Sequence, residues 1–348
     1  MKTGLTLVQL AQKITANQEL KRDFIADAAS LTMQVQADKK TVLEIPDQGS
    51  FPLMELAHDQ IGSRLKIPAP YYDRMRAEAP DLLATNVNAW FRKAPEKRMI
   101  RTLGGDTRAF LSNRYNRIEN EEIANVALPI LMDIPDIKIV SAEVTDRRLY
   151  IQAVSPRIQG EVKKGDVVQA GVVISNSEVG AGAVSVAPLV YRLVCLNGMI
   201  CADGRFRANH VGRKIEDDAE LWQDDTRKAD DRAVLLKVRD MVRAAVDAVR
   251  FRERLDKMAG LTAATITGNP AAAVEVLAKK IGTNDAEQGS ILRALIEGGD
   301  LSAWGMLNAV TYAAHDARNY DRAVEFEAAG GTLLELPSSE WKTILQAA

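Results

Sequence analysis

Cysteine and histidine are scarce in this chain: two of the first and three of the second in 348 residues. Two cysteines cannot build the disulfide framework of a small secreted scaffold. With so few soft ligands a dedicated zinc site is not expected, and no metal, cofactor or catalytic residue is assigned. No run approaches the roughly 20 apolar residues of a membrane span. The opening Met1-Lys2-Thr3-Gly4 leads into Gln9, Gln12, Lys13 and Gln18, unlike a secretory leader, so the expectation is a cytoplasmic protein with no membrane partner. An excess of one charge is also missing, since 45 Lys plus Arg stand against 47 Asp plus Glu. That balance excludes a histone-like polycation, and any nucleic-acid surface has to come from segregated charge. No Gly-x4-Gly-Lys-Ser/Thr phosphate loop occurs, and Gly180-Ala181-Gly182 reads as a turn between strands.

What remains is ordinary globular material, 47% hydrophobic and 26% charged, in a chain long enough to bury roughly 75% of its extended surface. Residues 5 to 80 read as helical and irregular. Thr6 caps a helix carrying Leu7, Leu10 and Ile14, and Met54, Leu56, Ile61 and Leu65 mark a second. The prolines of Ile67-Pro68-Ala69-Pro70 imply an extended link before a short helix from Tyr71 to Ala79. Arg98 to Leu103 and Thr107 to Tyr115 form a hairpin around Gly104-Gly105-Asp106. Asn120 caps a helix from Glu121 to Met132. Strands follow at 137–144, 148–154, 167–174 and 184–196, rich in valine. A long helix is expected from Thr226 to Met258, closed by Gly260. Asn269-Pro270, then Asn284 with Glu287, open two more helices, and Gly298-Gly299 ends the second of them. The fold class is therefore α+β: an antiparallel sheet and hairpin domain with helices, then an all-α C-terminal region. Three regions follow, 1–80, 81–214 and 215–348.

Asn197-Gly198 between apolar runs signals a two-residue hairpin turn. That register sets Leu196 opposite Met199, Cys195 opposite Ile200, and Arg192 opposite Asp203 as a cross-strand ion pair. Cys195 and Cys201 then project to opposite faces, which disfavours a disulfide or a shared metal and leaves two small core thiols.

Positive charge gathers in three places. Residues 90 to 117 hold Arg92, Lys93, Lys97, Arg98, Arg101, Arg108, Arg114 and Arg117 against Glu96 and Asp106. Trp90, Phe91, Phe110 and Tyr115 are interleaved, the ingredients of a single-strand platform in which cations neutralise phosphates and rings stack bases. A solvated hairpin with buried aromatics reads the same way. Arg205, Arg207, Arg213 and Lys214 make a second basic stretch, to which His210 adds pH-dependent charge. In the long helix Lys228, Arg232, Arg239, Arg243, Arg250, Arg254 and Lys257 fall within about 40° of one direction, a ridge of about 44 Å. It serves either a polyanion or the acidic stretch Glu216, Asp217, Asp218, Glu220, Asp224 and Asp225, within the protein or on a neighbouring subunit.

Asp136, Glu161 and Lys163 match the letters of a metal-dependent nuclease, but Gly160 and Gly165 bracket Glu161 and Lys163 in an apparent turn. His58-Asp59 and His315-Asp316 are sequence neighbours, which rarely make a catalytic hydrogen bond. His315 also follows Trp304, Leu307, Asn308, Thr311 and Tyr312 at helical spacing, as a helix-face histidine would.

The stretch Ser175-Asn176-Ser177-Glu178-Val179-Gly180, followed by Pro188-Leu189-Val190-Tyr191-Arg192-Leu193-Val194-Cys195-Leu196-Asn197-Gly198-Met199, resembles the phage/plasmid-like family catalogued as domain of unknown function 932. Ala109-Phe110-Leu111-Ser112-Asn113-Arg114-Tyr115, with Asn120, is similar to an earlier block of that family. Asn308-Ala309-Val310-Thr311-Tyr312, with His315, is similar to its C-terminal one. The resemblance spans roughly residues 50 to 330. It implies a setting in mobile elements, and so work on DNA such as recombination, replication or protection, but brings no catalytic residues. The function expected is a phage or plasmid protein that binds single-stranded DNA without catalysis, as a homo-oligomer. An inhibitor or adaptor that docks on an acidic host protein is the alternative, and a metal-dependent nuclease the third reading.

Overall fold

The computed structural model describes residues 1–209 and 224–348. Its first region is not purely helical. Helix α1 (Leu7–Leu20) starts where Thr6 and Gln9 form a reciprocal capping box and buries Leu10 and Ile14. Four strands then occur where a helical and irregular stretch was expected: β1 (Lys21–Asp27), β2 (Thr32–Val35), β3 (Thr41–Ile45) and β4 (Gly49–Pro52). β1 pairs with a strand far along the chain, whereas β2, β3 and β4 pair with their neighbours but are only four or five residues long, too short for local periodicity to reveal them. Helices α2 (Glu55–Arg64), α3 (Ala69–Glu78) and α4 (Pro80–Lys93) follow. The proline pair opens α3 directly, because proline is tolerated in a first helical turn. The hairpin β5 (Lys97–Leu103) and β6 (Asp106–Ser112) is present as expected, with Gly104 and Gly105 at positive φ in its turn. β1 pairs with β5 in a three-stranded sheet, and β2, β3 and β4 form a second.

Helix α5 (Asn120–Asp133) leads into the main antiparallel sheet. Its strands are β7 (Lys138–Val144), β8 (Leu149–Glu161), β9 (Val167–Asn176), β10 (Val184–Arg192), β11 (Asn197–Ile200) and β12 (Phe206–Ala208). They run β11-β10-β9-β8-β7, with β12 also on β10. Alternation sorts the side chains between two faces. Ile151, Ala153, Val172, Ile174, Val184 and Val186 bury one face against α1, α5 and Val238, Val242 and Ala245 of α6 (Asp224–Ala245). Val154, Val173, Ala187 and Leu189 lie on the other, with Ile200 of β11.

The single long helix expected over 226–258 is two. After α6, Asp247 caps a new helix, α7 (Ala248–Thr262), its carboxylate accepting from the Arg250 N–H at 2.9 Å. An N-cap carboxylate competes with helix continuation, and it divides the basic ridge. Helices α8 (Pro270–Ile281) and α9 (Asp285–Gly298) start at Asn269 and at the Asn284–Glu287 capping box, and Gly299 ends α9 in the left-handed conformation. Helices α10 (Ala303–Tyr312), α11 (Tyr320–Leu334) and α12 (Ser338–Leu345) complete the chain. Val324 and Ala328 of α11 close the lower part of the second sheet face. The molecule is α+β with an all-helical C-terminal region.

The Asn-Gly turn is also corrected. Arg192 stands opposite Asn197, and Val190 opposite Met199, so the loop is the four residues 193–196, with Leu196 at φ 52°. Asn197 is held in the strand because its amide donates to Thr311 Oγ1 of α10 at 2.6 Å. Arg192 therefore does not meet Asp203. It clamps Asp166 through Nε and Nη2 at 2.6 and 2.9 Å, while Asp203 takes Arg254. Cys195 is half-buried, Cys201 is buried, and both are free thiols.

Candidate anion-binding site

The cations of 90–117 do not form one open platform. Arg101 is 1% exposed and Arg108 6%, and both face carboxylates of the same chain. Arg101 bonds Asp23 at 2.8 Å and Glu119 at 2.5 Å, and Arg108 bonds Glu178 at 2.9 Å. Arg98 pairs with Glu96, and the exposed Arg117 with Asp23. Phe91 and Phe110 stack on each other inside the core, and the Tyr115 hydroxyl donates to the Ser177 carbonyl. Both faces of β5 and β6 are covered, so Arg98, Arg101, Arg108 and Phe110 cannot stack bases or neutralise phosphates as a hairpin surface. Arg92, Lys93, Lys97 and Arg114 are exposed, and Trp90 carries the Lys93 ammonium over its ring.

The helix ridge is corrected as well. Arg232 and Arg243 are exposed, but Arg239 pairs with Asp240, and Arg254 is buried on Asp203. Arg250 stands on α7, beyond the break. His210, Arg213, Lys214, Glu216, Asp217, Asp218 and Glu220 lie outside the described residues, as do the side chains of Asp224, Asp225 and Lys228.

The segment 175–180 is the hub of the molecule. Glu178 Oε1 accepts from Lys21 and from the Asn120 N–H, and its Oε2 from Arg108. The Glu178 carbonyl accepts from Arg101 at 2.6 Å. Asn176 Nδ2 donates to the Ile118 carbonyl and to Asn120 Oδ1, and Ser177 Oγ donates to the Arg147 carbonyl at 2.8 Å. Burial alone would raise the Glu178 carboxyl, but Arg108 and Lys21 outweigh it and hold the group far below the carboxylate range. The sheet of β1, β5 and β6, helix α5 and the main sheet meet at this one loop.

Beside the hub lies a groove on the second face of the main sheet. Register sets Tyr150 opposite Ser175, Ser175 opposite Ser185, and Ser185 opposite Arg207, a row across β8, β9, β10 and β12. At about 4.8 Å per strand the row is roughly 14 Å wide. Its floor is made of small residues, Ser175, Ala183, Ser185 and Ala187, and Asp321, Val324 and Glu325 of α11 form one wall. Arg147, Arg148, Arg205 and Arg207 line the same groove. Four guanidiniums thus face two carboxylates, and those two are already engaged. Asp321 accepts from Tyr150 at 2.8 Å and Thr145 at 3.1 Å, and Glu325 pairs with Arg322. Among the described residues no carboxylate pairs with Arg205 or Arg207. Burial, and then the charge of Arg207, lower the Arg205 pKa. Arg147 has an exposed partner, Asp59, at 2.7 Å, and such a pair contributes only about 0–1 kcal/mol. Arg148 donates to the Ala181 carbonyl, and a Cβ on Gly182 would lie 2.3 Å from its Nη2. The glycine cluster is the turn the sequence suggested, with Gly182 bare so that Arg148 can lie against it.

Arg205 and Arg207 belonged to the expected basic stretch, whereas Arg147, Arg148 and the α11 wall did not. An Arg-Arg pair at a strand start has no periodicity to single it out. The other motifs are architectural. Arg192 joins Asp166 and Trp304, whose Nε1 donates to Asp166 at 2.8 Å. His58 is buried between Thr41 Oγ1 at 3.0 Å and Tyr72 Oη at 2.9 Å. Burial, then the charge of Arg76, bring its pKa down to about 4. His315 touches the Met1 amino group at 2.7 Å. Glu327, buried against Gln152, has its carboxyl pushed up to about 7 by that burial. Asp136 pairs with Arg157, and Lys163 with Asp300, so the acid/acid/lysine letters meet separate partners. Among the described residues no three metal-ligating side chains cluster.

Sheet and groove together define an α+β protein with a cationic channel on one face of its central antiparallel sheet. Residues 109–330 match the family described as Domain of unknown function (DUF932), and the chain belongs to it. No curated protein and no solved structure matches.

Proposed function

We propose that the protein binds single-stranded nucleic acid, with the strand's phosphates lying along the groove between β12 and α11. The observation that carries this reading is that Arg205 and Arg207, beside Arg147 and Arg148 over a floor of small side chains, have no carboxylate partner among the described residues. Cations without internal counter-charges exchange bound ions for phosphates on binding, and that release drives association. A channel about three strand spacings wide suits one strand, and a floor of Ser and Ala lets a backbone approach closely. The reading rests on phosphate contacts and not on base stacking, because the candidate stacking rings other than Trp90 are occupied inside the fold. The resemblance to a phage/plasmid-like family is a further reason to expect DNA.

The test is fluorescence anisotropy with a labelled oligonucleotide longer than the roughly 4–16 nucleotides such a surface covers. Four phosphate contacts give a log–log salt slope of about −3, and Arg205→Ala with Arg207→Ala reduces it by about 1.4. Affinity falls at least about tenfold in the double variant. A flat salt response, or equal binding by the variant, overturns the reading.

A further inference from the structure

Arg147 and Arg148 line a second concavity on the far side of the groove, a cleft beneath α1. Its free volume is about 80 Å³, against about 220 Å³ for the groove. By a measure in which one water needs roughly 10–15 Å³, that admits a group the size of a phosphate and little more. Lys13, Asn17, Arg108 and Asn120 complete its polar lining. Lys13, Arg108, Arg147 and Arg148 line it with two carboxylates, Asp146 and Glu178, while Lys13 and Arg147 also reach Glu143 and Asp59 in exposed pairs worth only about 0–1 kcal/mol each. Glu178 is consumed by Lys21, Arg108 and the Asn120 N–H, and Asp146 is exposed at the rim.

Arg108 makes this cleft more than a basic depression. It is more than nine-tenths buried, yet its Nε and Nη2 have no hydrogen-bond partner. Leaving donors of a buried guanidinium unmade costs more than for a neutral group. Asn120 adds to the demand. Its Oδ1 is committed to Asn176, which leaves its amide N–H groups as donors without a partner among the described residues. The uncommitted groups of Arg108 and Asn120 in the cleft are all donors. That is the chemistry of an anion pocket.

We infer that the cleft takes a terminal phosphate of the strand, an inference that rests on the nucleic-acid reading of the adjoining groove. An internal phosphodiester has chain running from both sides and carries one charge. A terminal monoester has chain on one side and carries about −1.5 to −2. A cleft this small, opening beside a groove through shared arginines, fits the second, so the protein is a reader of phosphorylated strand ends.

Three oligonucleotides of one sequence decide it: one with a 5′-phosphate, one with a 3′-phosphate and one with hydroxyls at both ends, titrated by anisotropy at one salt concentration. One phosphorylated form binds roughly tenfold or more tighter than the hydroxyl form, as charge-assisted bonds to a buried guanidinium require. Arg108→Met abolishes that ratio. Because Arg108 is buried, Lys13→Gln is the companion variant: Lys13 lines the cleft and not the groove, and its exposed pair with Glu143 is worth only about 0–1 kcal/mol, so the change lowers the ratio several-fold and shifts thermal melting little. Arg205→Ala with Arg207→Ala weakens all three oligonucleotides together and leaves the ratio intact. If all three bind the wild type equally, the end-reading inference is overturned while the groove reading survives. If none binds, the groove reading falls and the inference with it, and a rise in melting temperature with inorganic phosphate, lost in Lys13→Gln, then leaves only an isolated phosphate site.

Discussion

Glu178 shows how one carboxylate can organise several elements. It neutralises Lys21 and Arg108, caps the Asn120 N–H, and offers its carbonyl to Arg101. Replacing it by Gln leaves the buried Arg108 without its anion, while Lys21 keeps Glu119, a change that costs about 3–5 kcal/mol, seen as a lower urea midpoint. Its pH dependence has a definite sign. The folded carboxyl titrates below its ordinary value of 4.5, so its contribution is present above about pH 4.5 and is lost as pH falls below that. The gap in stability between wild type and Glu178→Gln therefore narrows when unfolding is repeated at about pH 3 instead of about pH 7. A gap independent of pH would show that the Glu178 charge does not hold the hub together. From sequence alone these arginines read as a surface, because burial and pairing are set by residues as distant as Asp23 and Glu119.

At the scale of elements, helices with side-chain caps were legible, and the short strands β2, β3 and β4 and the remotely paired β1 were not. Thr6, Asn269 and Asn284 start helices at the expected places, since capping is a contact within one turn. Asp247 is the same kind of signal inside an apparently continuous helix, and it breaks that helix. The hairpin register went to Asn197's long-range bond with Thr311, against the local turn preference. Close approach of α11 to β11 has its own requirement. A Cβ on Gly331 would lie 1.9 Å from the Ile200 carbonyl oxygen, whereas one on Gly289 in α9 would meet nothing within 4 Å. Gly331→Ala therefore lowers stability by about 1–3 kcal/mol through forced displacement. Gly289→Ala raises it by about 0.5–1 kcal/mol through helix propensity. Calorimetric melting of the two variants should move in opposite directions, and equal shifts would refute the packing argument.

Across the whole molecule the decisive quantity is where charge lies, since the chain's net charge is only −2. Helix α6 packs on the first face of the main sheet and the groove opens on the second, so Arg239 and Arg243 stand behind the sheet from the proposed strand. Reversing both with Arg239→Glu and Arg243→Glu changes strand affinity by less than about twofold at physiological salt, where screening acts over about 8 Å. A tenfold loss would place the strand on the helix instead, and anisotropy with the same oligonucleotide distinguishes the two.

The sequence by itself determined the α+β class, the helices that carry their own caps, and the segments where valine-rich strands had to form. These follow from propensity, periodicity and contacts within a turn, all readable over a few neighbouring residues. Only the tertiary structure decided which arginines are spent on internal carboxylates and which stay free. Pairing depends on side chains brought together from opposite ends of the chain: Arg101 with Asp23, Arg108 with Glu178, Arg254 with Asp203. Strand register then turned Arg205 and Arg207 toward the same groove as Arg147 and Arg148.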